Sequence, residues 1–185
     1  MKHFFVVLFI SLSIVLYGQD KYNYVHFNKL IEVEGTEYVF ATIENKGKLF
    51  KINEQYLLFI NTLSGETTRV DFHKDAYIGE IEQIKIDNLD INVIILSAKT
   101  IDLNGKKGID WIDPMQIFVL STDGKTKTQL TEDEYFVRTW SVNNETGRIV
   151  ITGHFDTNNN GKYDKTDKNE ILIYDLKTLK IITRI

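Results

Sequence analysis

Val93 to Leu120 reads VIILSAKTIDLNGKKGIDWIDPMQIFVL. Its two ends, Val93-Ile94-Ile95-Leu96 and Ile117-Phe118-Val119-Leu120, are apolar at every position. A strand with one wet face alternates apolar and polar side chains, so a run without alternation needs cover on both faces. Leu57-Leu58-Phe59-Ile60 and Ile171-Leu172-Ile173 have the same character. The polar stretch between the two runs also recurs. Moving Ile95–Leu120 forward by 54 residues brings Ile95 onto Ile149, Asp102 onto Asp156, Asn104 onto Asn158, Asp110 onto Asp164, Asp113 onto Asp167 and Ile117 onto Ile171. A more distant copy, Leu58 to Gly65, aligns with Ile117 to Gly124 at a step of 59.

Working outward, short runs rich in Val, Ile, Phe and Tyr are separated by turns containing Gly, Asn and Lys. They predict strands at 25–27, 38–43, 49–52, 56–61, 67–72, 81–86, 91–97, 117–120, 126–130, 136–142, 148–153, 171–176 and 180–184. The turns Leu63-Ser64-Gly65-Glu66 and Asp87-Asn88-Leu89-Asp90 punctuate them, and no long segment keeps a helical period. The fold class is therefore all-β. Repeated units of about 40–50 residues with four strands are the signature of propeller blades. Three such units are expected, bounded near 20–72, 73–131 and 132–185, giving a partial propeller of antiparallel four-stranded blades. With its strand followed by Tyr174-Asp175-Leu176-Lys177-Thr178, the chain resembles the secreted, propeller-like bacterial repeat proteins. Closed propellers need four to eight blades. Three blades imply a homodimer that covers the open faces, a remnant of a longer propeller, or a compact three-sheet monomer.

The second copy of the polar stretch carries the candidate site. Asp156, Asn158, Asn160, Gly161, Asp164 and Asp167 occupy positions 1, 3, 5, 6, 9 and 12 of a twelve-residue loop, and the carbonyl of Lys162 falls at position 7. A hard cation such as Ca2+ takes six to eight oxygens, and alternate side chains of a tight loop can converge on it, with Gly at position 6 permitting the bend. The usual EF-hand loop closes on a bidentate Glu; this one ends in the shorter Asp167. In that respect it resembles the dockerin-type repeat and the calcium hairpins of integrin-alpha-like propellers. The resemblance covers Asp156 to Asp167 and implies ligand roles for Asp156, Asn158, Asn160, Lys162, Asp164 and Asp167. The competing reading is a polar hairpin tip whose Asn and Asp residues only satisfy turn geometry. The earlier copy, Asp102 to Asp113, has Lys106 and Lys107 at positions 5 and 6 and is expected to hold no ion. Its Trp111 either anchors a partner or folds back over a blade edge.

Met1-Lys2-His3 followed by the apolar run Phe4–Leu16 and Tyr17-Gly18 reads as a signal peptide over 1–18, preceding one β domain over 19–185. It predicts a secreted or periplasmic protein with no membrane association once the peptide is cleaved, the alternative being an uncleaved anchor. The chain has no Cys, hence neither disulfides nor a lipid-anchored terminus. A net charge of −4 gives no electrostatic reason for nucleic-acid binding. The pairs Asp110/Asp113 and Asp164/Asp167 could serve a hydrolase, and His154 with Asp156 a transition metal. No nucleophile motif, phosphate loop or multi-His cluster accompanies them. The sequence thus points to an exported non-catalytic protein with a structural Ca2+ loop. The alternatives are a protein- or glycan-interaction module with Trp111 as anchor, possessing a homodimer or envelope partner, and a hydrolase using the paired aspartates.

Overall fold

The apolar runs become the inner strands of three sheets. The computed structural model describes residues 27–43, 55–105, 108–161 and 163–185. The first sheet comprises β1 (Phe27–Glu32), β2 (Tyr38–Ile43), β3 (Gln55–Asn61) and β4 (Thr67–Phe72); the second comprises β5 (Tyr77–Ile86), β6 (Ile91–Lys99), β7 (Gln116–Ser121) and β8 (Lys127–Gln129). The third comprises β9 (Tyr135–Asn143), β10 (Arg148–Phe155), β11 (Lys168–Asp175) and β12 (Lys180–Arg184). Each is an antiparallel meander of four consecutive strands, so the protein is all-β with three blade-like sheets. Both blade boundaries fall in connections, as expected. Among the described residues the helical structure is one 3-10 turn, Asp87–Leu89, where the sequence placed a turn.

The second sheet lies between the other two. Its Ile94, Leu96, Ala98, Phe118 and Leu120 pack with Val33, Phe40, Leu57, Phe59 and Val70 of the first sheet. The intervening residues Ile95, Ile117 and Val119 point the other way and pack with Ile149, Ile151, Leu172 and Tyr174 of the third. This is the physical reason the run lacks alternation: both phases of the pleat are buried. Ile94, Ile95 and Leu96 are fully buried, each worth about 1.5–3 kcal/mol in apolar transfer.

Strand pairing makes two corrections to the register of the correspondence read from the sequence. Phe118 pairs with Leu96, and Leu172 pairs with Ile151. β7 and β11 therefore correspond at the 54-residue step, but β6 and β10 correspond one residue further on, Leu96 with Ile151 and Ile94 with Ile149. Matching Ile95 to Ile149 joins a side chain facing forward to one facing back. The extra residue lies between Ala98 and Asp102, where β6 enters its loop. Similarly, the last pairs before the β3–β4 and β7–β8 turns are Ile60 with Thr67 and Leu120 with Lys127. The strands thus align Leu57 and Phe59 with Ile117 and Val119, one residue away from the step of 59, each pair facing the next sheet. A period of two makes a one-residue slip exchange every inward side chain for an outward one.

Other boundaries moved as well. β1 continues to Glu32, where the sequence suggested a strand only at 25–27, and β5 begins at Tyr77 across a bulge between Ile78 and Ile81. The strand expected at 49–52, the signal peptide at 1–18 and Lys162 lie outside the described residues.

Candidate functional site

The β6–β7 and β10–β11 connections emerge at the same end of neighbouring sheets and touch. A Cβ on Gly161 would stand 3.1 Å from Asn104 Cβ, and Gly161 has φ +70°, a conformation that L side chains rarely adopt. The position-6 glycine therefore serves both the bend and the approach of the loops.

The two loops share a hydrogen-bond skeleton. In the first, Asp113 Oδ1 accepts from Leu103 N at 3.0 Å and Oδ2 from Asp110 N at 2.7 Å, while Asp110 Oδ1 accepts from Ile112 N at 2.8 Å. In the second, Asp167 Oδ1 accepts from Thr157 N at 3.1 Å and Oδ2 from Asp164 N at 2.6 Å, while Asp164 Oδ1 accepts from Thr166 N at 2.8 Å. Asp113 and Asp167 are buried. Each uses both carboxylate oxygens to close its loop over backbone N–H groups left without a ladder partner. The opening aspartates act alike: Asp102 accepts from Gly105 N and Gly108 N, and Asp156 from Asn160 N at 3.1 Å and Gly161 N at 2.5 Å.

The second loop adds a side-chain cluster. Asp164 Oδ2 accepts from Asn158 Nδ2 at 2.9 Å and Asn160 Nδ2 at 2.7 Å, and Asn158 Oδ1 accepts from Asn160 N at 3.1 Å. Thr166 Oγ1 donates to Asp164 Oδ1 at 2.7 Å and accepts from Asn158 Nδ2. Hydrogen bonds from the Thr166 hydroxyl and amide, with Asn158 and Asn160, hold the Asp164 carboxyl far below the usual carboxylate range. Positions 1, 3, 5 and 9 of the predicted ligand set are thus brought together, whereas Asp167 at position 12 is tied to the backbone. Among the described residues, no three His, Cys, Asp or Glu side chains form a group able to hold a metal ion. The donors available to a cation here are carboxylate and amide oxygens, which suit Ca2+ in kind.

The bases of the loops differ. Lys99, three residues beyond Leu96, donates through Nζ to the carbonyl of Trp111 at 2.6 Å and of Asp110 at 3.4 Å. Burial lowers its pKa, opposed by the negative charges of Asp113 and Asp110. Its register counterpart, three residues beyond Ile151, is His154. That imidazole is only 4% exposed, and among the described residues neither ring nitrogen has a hydrogen-bond partner. It stacks on Phe136 at 4.8 Å and meets Tyr163 at 4.4 Å, with Arg138 lying over Tyr163 at 4.3 Å. Burial first and Arg138 second lower the His154 pKa, against the pull of Asp167 and Asp156. A built-in ammonium therefore supports the first loop, and a neutral ring supports the second. Sequence reading missed Lys99, Thr166 and the aromatic stack around His154; only the corrected register reveals that Lys99 and His154 are counterparts.

Trp111 does not fold back over a blade edge. It is 84% exposed. The aspartate pairs are engaged in loop closure, and the His154–Asp156 pair gains no further acid or thiol ligand among the described residues.

Among solved structures the chain is similar to the Pyrococcus horikoshii acylaminoacyl peptidase (orthorhombic crystal form), at 12% identity and a TM-score of 0.45, over 88% of this chain and 25% of that chain. It spans about a quarter of that protein's length. No family model and no curated protein matches the sequence. A likeness of this size assigns neither an activity nor a site, so the chemistry of the loops is the basis for a functional reading.

Proposed function

We propose that this chain is an exported, non-catalytic β-repeat protein in which the Asp156–Asp167 loop takes up a structural Ca2+. The observation carrying this reading is the gathering of Asn158, Asn160 and Asp164, with Asp156 bonded to the Asn160 amide, in a loop whose base carries His154 where its sister has Lys99. Turning the Asn158 and Asn160 amides end for end would present Oδ1 atoms where Nδ2 atoms now meet Asp164. The Lys162 carbonyl would complete the set, and Asp167 would hold the loop shut or contact the ion through water. Extracellular calcium modules bind at roughly 0.1–1 mM, and a set with so few free carboxylates belongs at the weak end. Calorimetric titration of the mature chain should show one Ca2+ event that disappears in Asp164→Ala. An absence of heat at millimolar Ca2+ would reject the reading.

A second reading, a protein- or glycan-interaction module, is favoured by the exposure of Trp111. Exposed aromatics anchor interfaces and stack on sugar rings. Light scattering would detect a homodimer, and Trp111 fluorescence a glycan or envelope protein partner; a monomer with unchanged emission would count against it.

A further inference from the structure

A separate feature lies between the first two sheets, where the chain leaves β4 and crosses to β5. A cleft of about 360 Å³ opens there, lined by Phe72, His73, Thr100, Phe118, Lys127 and Gln129 beside Asp71. That volume falls within the range of small-molecule sites, roughly 300–1,000 Å³. Phe72 and Phe118 meet edge to face at 5.8 Å and form an apolar wall. Lys127 Nζ stands 4.5 Å from the Phe72 ring centre and donates to the Asp71 carbonyl at 2.6 Å. An ammonium has three N–H groups, so further donor capacity remains.

The charge of Lys127 is poorly matched. Among the described residues no carboxylate lies within ion-pair distance of it, and the adjacent Asp71 carboxylate is bound by Arg69 Nε at 2.6 Å. The Lys127 stem is exposed, but burial at its ammonium end lowers the pKa more than Asp71 restores it. An anion would relieve that cost, provided it brings an apolar part to the phenylalanines. His73 adds a polar rim. Its Nδ1 accepts from Asp75 N at 3.3 Å, which leaves the ring N–H on Nε2.

We propose that this cleft binds a small organic carboxylate, with the carboxylate on Lys127 Nζ and a ring or short apolar chain against Phe72 and Phe118. This binding is independent of Ca2+ and of the proposed loop site. The test is an NMR titration of the mature chain with benzoate, its neutral counterpart benzyl alcohol, and inorganic phosphate. Benzoate should give saturable shifts at Phe72, Phe118 and Lys127 and bind at least about tenfold more tightly than either control, a ratio equivalent to one step of the affinity scale. Lys127→Met, which keeps the apolar stem, should lose that advantage, and Lys127→Arg should retain most of it. The proposal is overturned by no saturable shift, by equal binding of benzyl alcohol or phosphate, or by undiminished benzoate binding in a folded Lys127→Met protein. The comparison of the three ligands on the unaltered protein decides the matter even if the variant does not fold.

Discussion

The two neighbouring loops are built on one skeleton and stabilised by different means. In Asp102–Asp113, Lys99 reaches from the end of β6 to the carbonyls of Asp110 and Trp111, so the loop carries its own positive charge. In Asp156–Asp167 the corresponding position is a buried imidazole whose nitrogens have no hydrogen-bond partner among the described residues, and side-chain amides crowd around Asp164 instead. Closure by the buried aspartate is thus shared, whereas the group at the base of the loop is an ammonium in one copy and an imidazole in the other. A duplicated element can keep its backbone chemistry while its electrostatic needs diverge.

The largest expected effect tests what the loops share. Asp113→Ala and Asp167→Ala each strand two backbone N–H groups, and each should lose about 2–4 kcal/mol of unfolding free energy by urea denaturation with EDTA present. Equal small losses, near those of surface mutations, would mean the skeleton does not matter. Next comes what separates the loops. At about 10 mM, Ca2+ should raise the unfolding free energy by about 1–1.5 kcal/mol through preferential binding to the folded state, and Asp164→Ala should abolish the increment while Asp110→Ala preserves it. Lys99→Met should cost about 1–2 kcal/mol irrespective of Ca2+, since it removes a charged donor from two carbonyls.

A pH series sharpens the contrast further. Because burial lowers the His154 pKa, the unfolded chain binds the proton more readily. Stability should therefore be unaffected by this group above its ordinary value near 6.5 and should decline as pH falls from there toward the lower folded value. Asp164 has the opposite consequence at more acid pH: its depressed folded pKa contributes stability above the ordinary carboxylate range, lost as pH falls through the folded value. His154→Phe should remove the decline that begins near neutrality and leave the acid limb. The smallest effect is expected for Trp111→Ala, within about 0.5 kcal/mol, because the side chain is solvent-exposed.

Much of the architecture was legible in the chain. Apolar runs without alternation announced sheets covered on both sides, and the spacing of turn residues placed the boundaries between them. Register was harder, because a repeat judged by residue identity does not register one extra residue between Ala98 and Asp102, yet that residue reverses which face Ile95 presents. In the loop, the sequence offered Asp156, Asn158, Asn160 and Asp164 as a ligand pattern, and the structure places them in one hydrogen-bonded loop. The closing role of Asp167 was not, since a carboxylate at position 12 reads the same whether it meets a cation or two amides. Lys99 was hidden for a further reason: its contacts are with backbone carbonyls, to which no sequence pattern points.

The position of the second sheet has a kinetic corollary. A layer with neighbours on both sides cannot lose its side-chain contacts until a flanking layer has come away. Amide hydrogens of Ile94 to Leu96 and Ile117 to Leu120 should consequently exchange only in the rarest, most extensive openings, while the exposed strand β12 releases its protons in local fraying.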